Sequence, residues 1–196
     1  MEIDGVKLHG WCSPAKARYL KDWISNHKPQ NILEVGVFGG ASLIPMALEA
    51  KKYGGKAVGI DPWDNGTALE AMVNPGNVEW WEKVNLSAVK ESFDTTLKKL
   101  KVDNVEVLVG TADDFKERFP NNHFGVFSVD GNHGLPCMRD AQNYLRTVEK
   151  GGLIACDDEN WIEGGIFTVQ RMIQWLLENG CTYNCSIDHC AMLVKE

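Results

Sequence analysis

No apolar run in the 196-residue chain approaches the roughly 20 residues that a membrane-spanning helix requires, so no membrane partner is expected. Positive charge is scarce: 20 Lys and Arg stand against 27 Asp and Glu, a formal net charge of -7. Binding along a phosphate backbone draws its affinity from clustered Lys and Arg, so nucleic acid is not an expected partner either. Cysteine is sparse. Six in 196 residues are too dilute for a disulfide scaffold, and no Cys-x-x-Cys pair occurs. Cys181, Cys185, His189 and Cys190 therefore read as small side chains and a turn residue on late strands rather than as a zinc cluster. Met1-Glu2-Ile3-Asp4 lacks the basic-then-apolar layout of a secretory leader, which makes the cytoplasm the expected location. Repeats, low-complexity tracts and linkers are also missing, and the length suits one domain over residues 1–196.

What is present is alternation between short β-rich runs and helical periodicity. Asn31–Val35, Lys56–Ile60, Val105–Val109, Phe124–Val129 and Leu153–Cys156 read as strands. Helices are read over Ala41–Tyr53, Leu86–Leu100, Arg139–Val148 and Ile166–Asn179, the last stopped by Gly180. Residues 1–28 supply a further helix or lid. Tyr183–Ile187 and Cys190–Val194 are joined by so few residues that they form an antiparallel hairpin. Such alternation predicts an α/β fold with one doubly wound sheet of about seven strands, mostly parallel, closed by that hairpin.

Ligands of such sheets bind outside the carboxyl ends of the strands. The strand starts here carry plain turn residues, Gly54-Gly55 and Gly151-Gly152 among them, whereas the unusual polar residues collect at the strand ends. Glu34-Val-Gly-Val-Phe-Gly-Gly-Ala-Ser42 is a glycine-rich strand-to-helix turn, able to bring backbone N–H groups close to a ligand. It lacks the lysine of a phosphate loop, and Phe38 stands where a dinucleotide fingerprint has its second glycine. Asp61 ends the second strand, where an acid can accept hydrogen bonds from a ribose diol. Together these features point to a nucleoside-containing ligand.

Asp130, Asp157 and Asp158 end the fourth and fifth strands, which should be neighbours. Three converging carboxylates repel unless a cation sits among them, and an all-oxygen set suits a hard divalent ion, Mg²⁺ by default. His133 follows three residues after Asp130, and an imidazole with an ordinary pKa of about 6.5 can take a proton from a hydroxyl. The stretch 64–84 is too long for a simple connection and carries Trp80-Trp81, which suits a substrate lid, a packing contact or a homo-oligomer surface. Trp11 precedes the first helix.

With these residues in view, the chain resembles the class I S-adenosylmethionine-dependent methyltransferases, whose sheet is Rossmann-like. It is most similar to their metal-dependent O-methyltransferases, both the catechol branch and the branch acting on antibiotic sugars. The resemblance rests on Glu34–Ser42, Gly59-Ile-Asp-Pro-Trp63, Val129-Asp-Gly-Asn-His133 and Gly151-Gly-Leu-Ile-Ala-Cys-Asp-Asp158. It implies that Gly36, Phe38 and Ser42 line the methionine part of S-adenosyl-L-methionine, that Asp61 holds the ribose, and that Ala112 and Asp113 sit beside the adenine. Glu34, Val37, Trp63 and Asp130 belong to the same cofactor set. It further implies that Asp130, Asp157 and Asp158 hold the metal and that His133 is the base. The catechol branch has Asp-Asn where this chain has Asp157-Asp158, so the third ligand looks more like that of the sugar enzymes. The expected activity is therefore methyl transfer to a hydroxyl of a small molecule, sugars and glycosides included. Two alternatives compete: a nucleotide-binding oxidoreductase, against which Phe38 and the acids argue, and a cofactor-binding module without turnover.

Overall fold

The computed structural model describes residues 1–196. The chain opens with a small hairpin, β1 (Glu2–Ile3) and β2 (Val6–Lys7), and then α1 (Pro14–His27). β3 (Asn31–Val35), α2 (Leu43–Lys51) and β4 (Lys56–Asp61) follow. Three helices come next: α3 (Asn65–Ala68), α4 (Pro75–Lys83) and α5 (Leu86–Lys99). β5 (Val105–Val109), β6 (Phe124–Val129), α6 (Pro136–Tyr144) and β7 (Val148–Cys156) continue the alternation. A second small hairpin, β8 (Ile162–Glu163) and β9 (Ile166–Phe167), leads to α7 (Thr168–Glu178). β10 (Cys181–Ile187) and β11 (Cys190–Lys195) end the chain.

Seven strands form the central sheet in the order β10-β11-β7-β6-β3-β4-β5. β3 through β7 run parallel to one another, and β11 runs antiparallel to both β7 and β10. The chain winds outward from β3 to β5 and restarts at β6 on the other side of β3. The order thus reverses between the ends of β3 and β6, which is where such sheets open a crevice.

Side chains alternate across a strand, so each strand feeds both faces. Leu33, Val35, Phe127 and Val129 join the layer that includes residues of α6 and α7. Ile32, Ala57, Val126 and Ala155 join the layer under α1, α2 and α5. Both layers bury their apolar side chains, which is why β6 reads as an unbroken buried run rather than an alternating one.

Several boundaries differ from the sequence reading. The helix expected over Arg139–Val148 begins at Pro136, where a missing N–H costs nothing, and Val148 instead pairs with Phe124 as the first residue of β7. The helix expected from Ile166 begins at Thr168, because Ile166 and Phe167 pair with Glu163 and Ile162. Stretch 64–84 is not a bare loop. Asp64 and Asn74 accept the backbone N–H groups of Thr67 and Gly76, and Pro75 stands in the first turn of α4. No residue of α3 or α4 is fully buried, so neither carries the apolar stripe that reveals a helix in a sequence.

Candidate active site

A cavity of about 690 Å³ opens at the carboxyl ends of the parallel strands, within the usual size of small-molecule sites. The glycine turn forms one wall. Gly36 has φ 88°, and a Cβ there would stand 2.1 Å from the carbonyl oxygen of Asp130, so only glycine lets β3 and β6 end this close together. Phe38 has φ 49°, a left-handed conformation that costs a side-chain-bearing residue roughly 1–2 kcal/mol. Hydrogen bonds hold it there. The Phe38 N–H donates to Asp61 Oδ2 at 2.8 Å, and the Trp63 indole N–H donates to the Phe38 carbonyl at 2.8 Å. Asp61 Oδ1 also accepts the Trp63 N–H at 2.7 Å. Each Asp61 oxygen keeps a second lone pair, the capacity a ribose diol needs. Burial pushes the Asp61 carboxyl above its ordinary range, and the Phe38 and Trp63 N–H groups pull it back.

Gly36, Val37, Phe38, Ser42 and Asp61 line this wall. Ala112 and Asp113 line the opposite side on a single turn after β5, capped by Thr111, with Asp113 accepting from the Asn143 amide at 2.8 Å. Two residues expected on the cofactor wall stand behind it instead. Trp63 is buried against Phe93 and braces Phe38. Glu34 is fully buried, and neither of its oxygens has a hydrogen-bond partner, although Ser42 and Ser128 are close. Burial pushes its carboxyl up to about 7, against the pull of Ser42 and Lys16. A buried carboxyl with both oxygens orphaned beside the glycine turn is short of a polar partner.

The ends of β6 and β7 carry the second constellation. The Asp130 N–H bonds to Val35 O at 2.9 Å and the Asp157 N–H to Val129 O at 3.1 Å, which extends the ladders by one residue and fixes both acids. Asp130 lies two residues after Ser128, and Asp157 two after Ala155, so both face α1. There they meet Lys16. Its Nζ lies 3.0 Å from Asp130 Oδ2 and 2.8 Å from Asp157 Oδ1, with only 3% of its side chain exposed. Burial opposes the ammonium charge, but the two carboxylates outweigh it and hold Lys16 above the ordinary lysine value. Burial likewise opposes the Asp157 charge, and Lys16 outweighs it, so that this carboxyl lies below its ordinary range.

Asp158 is not part of that cluster. Its backbone turns at φ 53°, and its half-exposed carboxylate stands 3.5 Å from His133 Nε2. His133 Nε2 is also 3.9 Å from Asp130 Oδ1, and its ring is 5.2 Å from that of Trp161. Burial lowers the His133 pKa, with Asp158 and Asp157 acting the other way. Asp130, His133, Asp157 and Asp158 all line the cavity. The three acids nevertheless do not fit a divalent ion as they stand. Two of them share an internal ammonium, and no three His, Cys, Asp or Glu side chains converge as a metal-holding group.

The 64–84 stretch lines one side of the cavity. The Asn132 amide donates to the carbonyls of Ala68 and Glu70 at 3.0 and 2.9 Å, and Arg139 grips Glu70 through two bonds of 2.8 and 2.9 Å. Buried Glu163 accepts the N–H groups of Val73 and Asn74, each at 2.6 Å. Trp81 packs onto the core, whereas half-exposed Trp80 meets Trp11 with ring centres 5.2 Å apart at the cavity edge. Sequence reading missed Lys16, Glu163 and Trp161. Lys16 falls on the buried stripe of α1 with Ala17, Leu20 and Ile24, where the folded sheet and not the sequence pattern keeps it from solvent.

A seven-strand sheet with this order, a glycine turn and a strand-end acid on one cavity define a class I, S-adenosylmethionine-dependent type of methyltransferase architecture. A family model described as a methyltransferase domain matches residues 33–159, and the chain belongs to that family. No curated protein sequence matches the chain. Among solved structures it is similar to the methyltransferase PaMTH1 of Podospora anserina, bound to S-adenosylhomocysteine (TM-score 0.68, 14% identity, 95% of this chain and 80% of that one). It is also similar to the O-methyltransferase TomG of Streptomyces achromogenes, of tomaymycin synthesis, bound to S-adenosylmethionine (TM-score 0.68, 19% identity, 95% and 81%). An O-methyltransferase of Bacillus cereus bound to S-adenosylhomocysteine matches at TM-score 0.59 and 17% identity, over 95% and 83% of the two chains.

Proposed function

We propose that the protein transfers the methyl group of S-adenosylmethionine to a hydroxyl oxygen of a small-molecule acceptor, the sugar hydroxyls of glycosides included, with His133 as the base. The observation that carries this reading is the His133 imidazole on the same cavity as the glycine turn and Asp61. The cofactor's amino-acid end would lie against Gly36 and Ser42, close to the orphaned Glu34 carboxyl. Its ribose would lie against Asp61 and its adenine beside Ala112 and Asp113.

The acceptor O–H gives its proton to His133 Nε2. The oxygen forms a bond to the methyl carbon as the carbon–sulfur bond breaks, and the electron pair stays on sulfur, leaving neutral S-adenosylhomocysteine. The imidazolium so formed is stabilised by Asp158, 3.5 Å away. Holding oxygen, methyl and sulfur in line supplies most of the acceleration. The acids at the cavity favour a sulfonium cation over a neutral thioether, which helps bind the donor and release the product. No step is routed through a divalent ion, because Lys16 already pairs with two of the three acids read as its ligands.

His133→Ala is expected to lower kcat by about 10²–10⁴-fold, the usual contribution of a positioned base, with S-adenosylhomocysteine affinity little changed. Near-normal turnover would move the base elsewhere. Absence of turnover in the unaltered chain, with cofactor binding intact and a broad panel of hydroxyl acceptors offered, would favour the non-catalytic module.

A further inference from the structure

We infer that Lys16 is a built-in cation that takes the place of a divalent metal between Asp130 and Asp157. The sheet forces these two acids together: β6 and β7 are adjacent and parallel, Val129 pairs with Cys156, and each acid is the next residue. Adjacent strands run about 4.8 Å apart, and two buried carboxylates at such spacing need a counter-charge. An external divalent ion and an internal ammonium would both satisfy them, but they cannot occupy the same place.

The ammonium is held there by the fold. Ser13 caps α1 by accepting the Lys16 N–H at 3.0 Å, which sets Lys16 in the first turn. Ala17, Leu20 and Ile24 bury the same face of the helix, so withdrawing Lys16 would expose apolar surface. Withdrawal would also leave two buried acids without their shared partner, which is strongly destabilising. Lys16 does not line the cavity, whereas Asp130 and Asp157 do. It therefore acts from behind them as a positioning residue. It fixes one oxygen of Asp130 while the other faces His133 at 3.9 Å. An ammonium also offers no open coordination position to an acceptor oxygen, which leaves proton removal to His133.

The test is Mn²⁺ binding, read by electron paramagnetic resonance and by the melting temperature with and without the ion. It concerns the cation and not the methyl donor, so its result stands apart from that of any methyl-transfer assay. The unaltered chain is expected to bind no stoichiometric Mn²⁺ and to melt at the same temperature with or without it. Lys16→Met, which keeps the stem and removes the charge, is expected to melt lower and to gain a one-to-one Mn²⁺ site that raises its melting temperature. Lys16→Arg is expected to gain none. One Mn²⁺ bound per unaltered chain and lost in Asp157→Asn would overturn the inference, and this arm decides the matter if Lys16→Met fails to fold. A folded Lys16→Met that gains no Mn²⁺ site would overturn it too.

Discussion

Asp61 and Asp140 show how much one carboxyl can carry. Asp61 ties the glycine turn to the end of β4 through two backbone N–H groups and offers its remaining lone pairs to a ligand. Asp61→Ala leaves those N–H groups without a partner, so it should lower stability by about 1–3 kcal/mol in denaturant titration and weaken S-adenosylhomocysteine binding as well. Asp140 lines the cavity from α6, and burial pushes its carboxyl up to about 7. An acid whose pKa is higher folded than unfolded stabilises the fold while protonated, and that contribution is lost as pH rises from the unfolded value through about 7. Asp140→Asn should therefore raise the melting temperature more at pH 8 than at pH 5; an equal effect at both would refute the assignment. Asp61, Asp130 and Asp157 could be placed from the sequence because strand-end position and two-residue alternation determine where they point. Lys16 could not, since a lysine in an amphipathic helix is ordinarily solvated and only the folded sheet supplies the two acids that hold it.

At the scale of elements, the stretch from α3 to α4 is fastened by hydrogen bonds rather than by buried apolar side chains. The Arg139–Glu70 pair is nearly half exposed on both sides, so it should add no more than about 1 kcal/mol. Glu163 matters more because it is buried and accepts two backbone N–H groups. Glu163→Ala should speed amide exchange at Val73 and Asn74 and raise the KM for the acceptor while leaving cofactor affinity nearly constant. Unchanged exchange at those two amides would show that another contact fastens the stretch. The regular strands and α5 were readable because their patterns are dictated by burial on one or both faces. α3 and α4, which rest on caps and on partners 60 to 90 residues away, were not.

For the molecule as a whole, the acidic balance of 27 Asp and Glu against 20 Lys and Arg takes on a local meaning. Asp61, Asp113, Asp130, Asp157 and Asp158 gather on one cavity at the sheet's switch point, with one lysine set behind two of them. The mostly parallel sheet and its ligand rim were foreseeable because strand–helix alternation demands long crossovers and such sheets bind at their strand ends, whereas the strand order emerged only from the fold. The cation was not, because the same acids accommodate either an ion or an ammonium. Whether this cavity holds S-adenosylmethionine is tested most directly by calorimetric titration with S-adenosylhomocysteine. One site per chain, clearly weakened in Asp61→Ala and with no heat from NAD⁺, is the expected result. Binding of NAD⁺ with none of S-adenosylhomocysteine would contradict it.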